Sequence, residues 1–235
     1  MKFFALTLLV VSCSNVQAEN PLKTWNGLRH SLELRKGGKV FSYGQNTHGQ
    51  LGNNAGQTAK AAAQVDLGGG EAIDISGGQE HSVVLFKDGT VKCWGGNLYG
   101  QLGLGQSSGL GFSPDEMGKN LPTVSLGTKE IAIALTGGAD HTCVALKSGG
   151  VKCWGHNDDQ QLGLADRNNR GFTSKDMGDN LKRVDLIGRK MVDRLISQAD
   201  TDATCAHLQK ENTWTCWGKE ADAKKLAMVV SPPKK

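Results

Sequence analysis

His141-Thr-Cys-Val-Ala-Leu146, then Lys147-Ser148-Gly149, then Gly150-Val-Lys-Cys-Trp154 is the stretch that decides the fold. Its two alternating runs read as antiparallel strands joined by a three-residue hairpin, with Gly149 where the left-handed residue of such a loop belongs. With residue 148 at the turn centre, paired positions sum to a constant, so Cys143 faces Cys153. Directly opposed residues lie about 4.5–5.5 Å apart, within reach of a disulfide. Cys205 and Cys216 repeat the arrangement with a loop one residue longer. Both pairs are expected to be disulfides, each closing a short loop and contributing at most roughly 3 kcal/mol.

The same unit recurs along the chain. Gly27-Leu-Arg-His30, Gly78-Gln-Glu-His81 and Gly138-Ala-Asp-His141 are each followed ten residues later by a strand start at Val40, Val91 and Val151. Tyr43-Gly44, Cys93-Trp94-Gly95 and Cys153-Trp154-Gly155 come next, and then Gly49-Gln-Leu-Gly52, Gly100-Gln-Leu-Gly103 and Gln160-Gln-Leu-Gly163. A fourth, eroded copy remains as Thr204-Cys205 and Cys216-Trp217-Gly218. Repeats of this length suit propeller blades better than the shorter helical repeats. In the second unit Val83 faces Cys93, which leaves that thiol without a partner in its own hairpin; a buried reduced thiol and an intermolecular bridge are the two readings.

The ordered motifs Gly-x-x-His, Asp-Gly-x-Val-x-Cys-Trp-Gly and Gly-Gln-Leu-Gly closely resemble the repeats of the regulator of chromosome condensation family, over about residues 24 to 218. The resemblance implies an all-β fold, a β-propeller whose blades each have four antiparallel strands. Gln64–Leu67, Glu71–Ile75, Thr123–Leu126 and Glu130–Leu135 would supply the strands beyond each hairpin. The chain departs from the family in having about four units, near 24–67, 71–126, 130–186 and 190–230, too few for the family's seven-bladed ring. Its cystine-bearing form is more similar to secreted bacterial members. A short closed ring, an open arc, a homo-oligomer and a truncated gene product all accommodate that number. Four blades in an open arc leave unpaired edges and an incompletely covered core unless something caps them. The segment Leu226–Val230 is expected to be a terminal strand serving as such a cap, with Pro232-Pro233 stopping it.

The chain begins with Lys2, an apolar run from Phe3 to Val11 and Val16-Gln-Ala18, the form of a signal peptide over residues 1–18. Val10-Val-Ser-Cys13 also resembles a lipobox, in which residues 1–12 would be removed and Cys13 lipidated. Either reading places the folded part, about residues 20–235, outside the cytoplasm, secreted or in the cell envelope, where disulfides persist. A nine-residue apolar run is far short of the ~20 needed to cross a bilayer, so no transmembrane segment is expected.

Among 235 residues, 32 are glycine and 5 proline, about double the usual glycine share of about 7%, which suits many tight turns. A net charge of +4 falls short of the concentrated basicity of nucleic-acid binders. The basic end formed by Lys224, Lys225, Lys234 and Lys235 reads as a solubilising tail.

No nucleophile elbow, zinc-protease helix or phosphate-binding glycine loop is present, and no cofactor or metal site is expected. His30, His81 and His141 occupy equivalent places in successive units, so each is expected to satisfy local backbone instead of converging on a metal. Trp94, Trp154 and Trp217 are expected in the core. Asp115, Glu116, Asp158, Asp159, Asp176 and Asp179 lack the ligand order of a calcium loop.

The strongest functional hint is a pair of insertions sixty residues apart, Gly111–Leu121 and Gly171–Leu181. Repeat insertions often emerge on the binding face. Phe112, Met117, Phe172 and Met177 beside Arg167 and Arg170 would have the composition of interface hot spots; the competing reading is that Phe and Met pin the loops to the blades. The function expected is an exported, non-enzymatic module that binds another protein through loops on one propeller face. The superfamily includes a secreted inhibitor of β-lactamase, and the resemblance implies that the scaffold can work outside the cytoplasm. Nucleotide exchange on a small GTPase and a propeller hydrolase or lyase are the alternatives.

Overall fold

The computed structural model describes residues 20–184, 186 and 190–230. Both signal readings, Cys13, Pro232-Pro233, Lys234 and Lys235 lie outside those residues. Four antiparallel sheets follow one another along the chain. The first holds β1 (Lys23–Asn26), β2 (His30–Arg35), β3 (Lys39–Gln45) and β4 (Thr58–Gln64). The second holds β5 (Ala72–Gly77), β6 (His81–Phe86) and β7 (Val91–Gly95). The third holds β8 (Ala132–Gly137), β9 (His141–Leu146) and β10 (Val151–Gly155). The fourth holds β11 (Val192–Ile196), β12 (Ala203–Leu208) and β13 (Thr213–Gly218). The first strands of consecutive sheets pack side by side, so the sheets are arranged as propeller blades about an axis lined by β1, β5, β8 and β11.

The hairpin register is the one the turn chemistry demands. Gly149 has φ +90° and Gly89 +84°, values open to glycine without a Cβ clash. Cys143 therefore pairs with Cys153 and Cys205 with Cys216. Both pairs stand at bonding distance, with Cα atoms 4.1 and 4.0 Å apart. Val83 faces Cys93 across β6 and β7. That thiol is free and buried, and burial pushes its pKa up.

The same register carries a prediction. Val83→Cys is expected to form a third cystine under oxidising refolding, stabilising the fold by up to roughly 3 kcal/mol. Intact mass should show the loss of two hydrogens; alkylation of both new-pair thiols in the native protein would defeat the assignment.

Two strand expectations are corrected. The second, third and fourth sheets have three strands where four were expected, and Thr123–Leu126 is not a strand of the second. The insertion fills the place of a fourth strand, so that pairing there is reduced to the bridges Gly95–Leu110 and Lys92–Thr123, and to Gly155–Arg170 in the third sheet. Only the first unit, which lacks the insertion, keeps a full outer strand, and it ends at Gln64 where Gln64–Leu67 was expected to begin one.

The terminal strand at Leu226–Val230 is instead the end of α1 (Glu220–Val230). Ala221, Ala223, Lys224 and Lys225 are good helix formers that no β-branched residue interrupts. Lys224 also pairs with Glu220 one turn earlier, at 2.6 Å. Leu226 is fully buried beneath this helix.

Candidate functional site

The histidine, tryptophan and Gly-Gln-Leu-Gly motifs meet at the seams between sheets. His30 Nε2 lies 2.8 Å from Ser82 Oγ, His81 Nε2 3.0 Å from Thr142 Oγ1, and His141 Nε2 2.8 Å from Thr204 Oγ1. Each histidine thus reaches the hydroxyl that follows the equivalent position in the next sheet. Ser82 and Thr142 donate in turn to the carbonyls of Gln50 and Gln101, at 2.8 and 2.9 Å. Those carbonyls also receive the indole N–H of Trp94 and Trp154, at 3.0 and 2.9 Å, and Trp217 reaches Gln161 at 3.0 Å. One carbonyl of each of the first three units is therefore gripped by the indole of the next.

A hydroxyl that spends its proton on a carbonyl accepts from the imidazole, so His30 and His81 carry their proton on Nε2. The Nδ1 atoms of His30, His81 and His141 are buried without a partner. Desolvation lowers the His30 pKa to about 4 and those of His81 and His141 to about 3; at His81 and His141 a neighbouring imidazole adds to the shift. All three are neutral at pH 7. They are spread along three seams, and the described residues contain no cluster that suits a metal ion.

The motif glycines make room for this lock. Gly103 has φ +66°, and a Cβ there would stand 2.6 Å from Trp154 Nε1 and 2.9 Å from Met177 Cε. Gly52 meets Trp94 Nε1 and Met117 Cε in the same way, both at 2.7 Å.

Those contacts settle where the insertions lie. Met117 and Met177 are each 3% exposed and belong to the core between sheets, so they leave the expected apolar strip; their methyl groups wedge against the preceding unit's glycine. Gly118 N donates to Asp66 O and Gly178 N to Ser125 O, both at 3.0 Å. The buried Lys152 donates from Nζ to Leu126 O at 2.7 Å and Gly178 O at 2.8 Å. Each insertion is a staple onto the unit before it. Phe112 remains 54% exposed, beside the 46–57 loop in a cleft of ≈ 340 Å³. Phe172 is half-buried. Arg170 is tied to Asp166 at 2.7 Å, and the exposed Arg167 donates to the Asp158 carbonyl.

An asparagine recurs with the same period as the histidines. Asn46, Asn97 and Asn157 each stand two residues after the glycine that closes a sheet. Their Oδ1 atoms accept from Leu51, Leu102 and Leu162 N at 2.9, 3.0 and 3.0 Å. Their Nδ2 atoms hold the returning loop, as at Ala55 O, Gln106 O and Asp166 O. Their spacing of 51 and 60 residues matches that of the histidines and was available in the sequence.

The loops these asparagines shape lie at the same end of the sheets as the Gly-x-x-His turns, because His81 pairs with Gly95 and His141 with Gly155. That end carries Glu80, Asp140 and Asp202, one carboxylate just before the lock position in each of the second, third and fourth sheets. Gln101 Nε2 donates to Asp140 at 3.3 Å and Gln161 Nε2 to Asp202 at 3.2 Å. Burial raises the Asp140 pKa to about 6, with Glu80 and Asp202 adding and His156 opposing. Leu28 and Leu98, 66% and 75% exposed, stand on the same end.

Radially stacked antiparallel sheets, locked carbonyl to indole, define a β-propeller repeat protein. Models of the regulator of chromosome condensation (RCC1) repeat match residues 37–85, 72–101 and 132–161, so the chain carries repeats of that β-propeller family. It is 33% identical over 144 residues to the probable E3 ubiquitin-protein ligase HERC6 of Homo sapiens, covering 61% of this chain and 13% of that one. It is 34% identical over 143 residues to the ultraviolet-B receptor UVR8 of Arabidopsis thaliana, covering 60% and 30%. The chain thus spans less than a third of these relatives' length. Yeast RCC1 (Prp20), crystallised bound to Kap60, superposes with a TM-score of 0.63 at 19% identity, over 87% of this chain and 45% of that one. Human WBSCR16 gives 0.61 at 18% identity, over 89% and 50%.

Proposed function

We propose that the chain is an exported, non-enzymatic binding module whose turn-bearing end docks another protein. One observation carries the reading: the histidines, tryptophans and glutamine carbonyls with the richest chemistry are consumed in the seams, while Leu28, Leu98 and Phe112 stand exposed around the carboxylates Glu80, Asp140 and Asp202. Exposed apolar groups among charges are the composition of a docking surface. Relatives of this fold are known in complexes, as Prp20 is with Kap60, and a study of Prp20p concerns its binding to Gsp1p and histones. Two cystines support maturation outside the cytoplasm, and no helix among the described residues is long and apolar enough to cross a membrane.

The test is affinity capture on the mature protein, with Leu98→Asp/Phe112→Ala as the altered surface and Met228→Ser on α1 as the control. The first variant is expected to lose its partner at least tenfold while melting like the parent, and the control to keep it. Equal capture by all three would remove this end of the propeller as the docking surface.

A further inference from the structure

Each second strand shows alternate residues to the sheets before and after it. Val84 and Phe86 of β6 are buried against the first sheet, Val144 and Leu146 of β9 against the second, and Ala206 and Leu208 of β12 against the third. The register puts Glu33 and Arg35 of β2 at those two positions. There the charges are closed on themselves, with Arg35 Nη2 2.6 Å from Glu33 Oε2 and the guanidinium 3.9 Å over the Phe41 ring.

At the other end of the stack, Cys205 and His207 occupy the positions turned away from the third sheet. Cys205 is buried with Leu226 of α1. His207 is held by Asp193 at 2.6 Å and Asn212 at 3.1 Å. The outgoing half of the seam lock is missing as well, since Ala203 pairs with Gly218 where His141 pairs with Gly155. In the same turn the Asp200 carboxylate accepts instead from Lys225 Nζ, and the Asp202 backbone N–H donates to the Asp222 carboxylate, both of the helix. Among the described residues no hydrogen bond or ion pair joins the first sheet to the fourth.

We infer that the charged face of β2 and the helix α1 are end caps, so that the four sheets form an open arc that is stable as a single copy. A ring closed by a second copy needs an apolar incoming face on the first sheet and an uncovered outgoing face on the fourth, and each is replaced by something else. Repeat stacks require terminal units of this kind because every internal unit has two apolar faces to cover.

Sedimentation equilibrium of the mature protein at micromolar concentration is expected to return the mass of one chain. Leu226→Asp, which lifts the helix from Cys205, is expected to produce concentration-dependent association or loss of the fourth sheet, whereas Met228→Asp on the open side of α1 leaves mass and melting unchanged. Glu33→Val/Arg35→Phe tests the other end at half-buried sites, where folding is not at stake, and is expected to convert the single species into a self-associating one. A parent protein that is already a stable dimer would overturn the inference. So would a Leu226→Asp protein with unchanged mass and melting, or a Glu33→Val/Arg35→Phe protein that stays monomeric.

Discussion

Replacing Trp154 by alanine is expected to cost about 3–5 kcal/mol, the usual loss for a fully buried tryptophan. The indole is completely enclosed and packs with Leu102, Met177 and Leu181 where the second and third sheets meet. Its removal also strips one donor from the Gln101 carbonyl, leaving Thr142 as the remaining partner. For a domain of this size each kcal/mol moves the melting midpoint by roughly 2–4 °C, so the variant should melt about 10 °C below the parent. Trp94→Ala should behave alike, since it makes the same contacts one seam earlier. Trp217→Ala should lose less, because that ring is only half-buried in the last seam. Equal melting of all three variants, close to the parent, would mean that the seams are not where this fold keeps its stability.

The hairpins were legible because antiparallel pairing is arithmetic: once Ser148 centres the turn, the partner of Cys143 follows. The histidines were legible as structural groups because equivalent positions in stacked units cannot converge, yet their partner was expected to be backbone and is the hydroxyl of the next sheet. The signal was present, since Ser31, Ser82, Thr142 and Thr204 recur one residue after the lock position. A contact between units leaves no pattern within one unit. Met117 and Met177 illustrate the same difficulty. An inserted loop with apolar residues is equally suited to a partner and to a neighbouring sheet, and only the seam glycines Gly52 and Gly103 reveal which surface receives it. At Leu226–Val230 the apolar run looked like a strand, while the helix is specified by the residues before it and by one leucine that a bare sheet face needs.

Acidification is expected to open the seams, and the three lock histidines set the window. Unfolded histidine titrates near pH 6.5, whereas burial holds His30 at about 4 and His81 and His141 at about 3 in the folded chain. A folded-state pKa below the unfolded one means that the stabilisation is complete above pH 6.5. As the pH falls from there toward 4 and then 3, the unfolded chain takes up protons that the folded one refuses. At pH 5 each histidine then removes roughly 2 kcal/mol, which for three approaches the whole stability of a typical domain, about 5–15 kcal/mol. Asp140 and Asp202 work the other way, since their raised pKa values favour the folded state on protonation below about 6 for Asp140. The net loss should therefore be shallower than three independent histidines give, and steepest near pH 5, where unfolded histidine is almost fully protonated and the buried imidazoles still refuse the proton. Denaturant titrations from pH 8 to 4 on the parent and on His81→Gln read this directly. The glutamine keeps a donor for Thr142 but does not titrate, so the variant, less stable at pH 8, should show a flatter profile and lose the parent's slope by about one proton. Identical slopes would assign the acid sensitivity to groups other than the seam imidazoles.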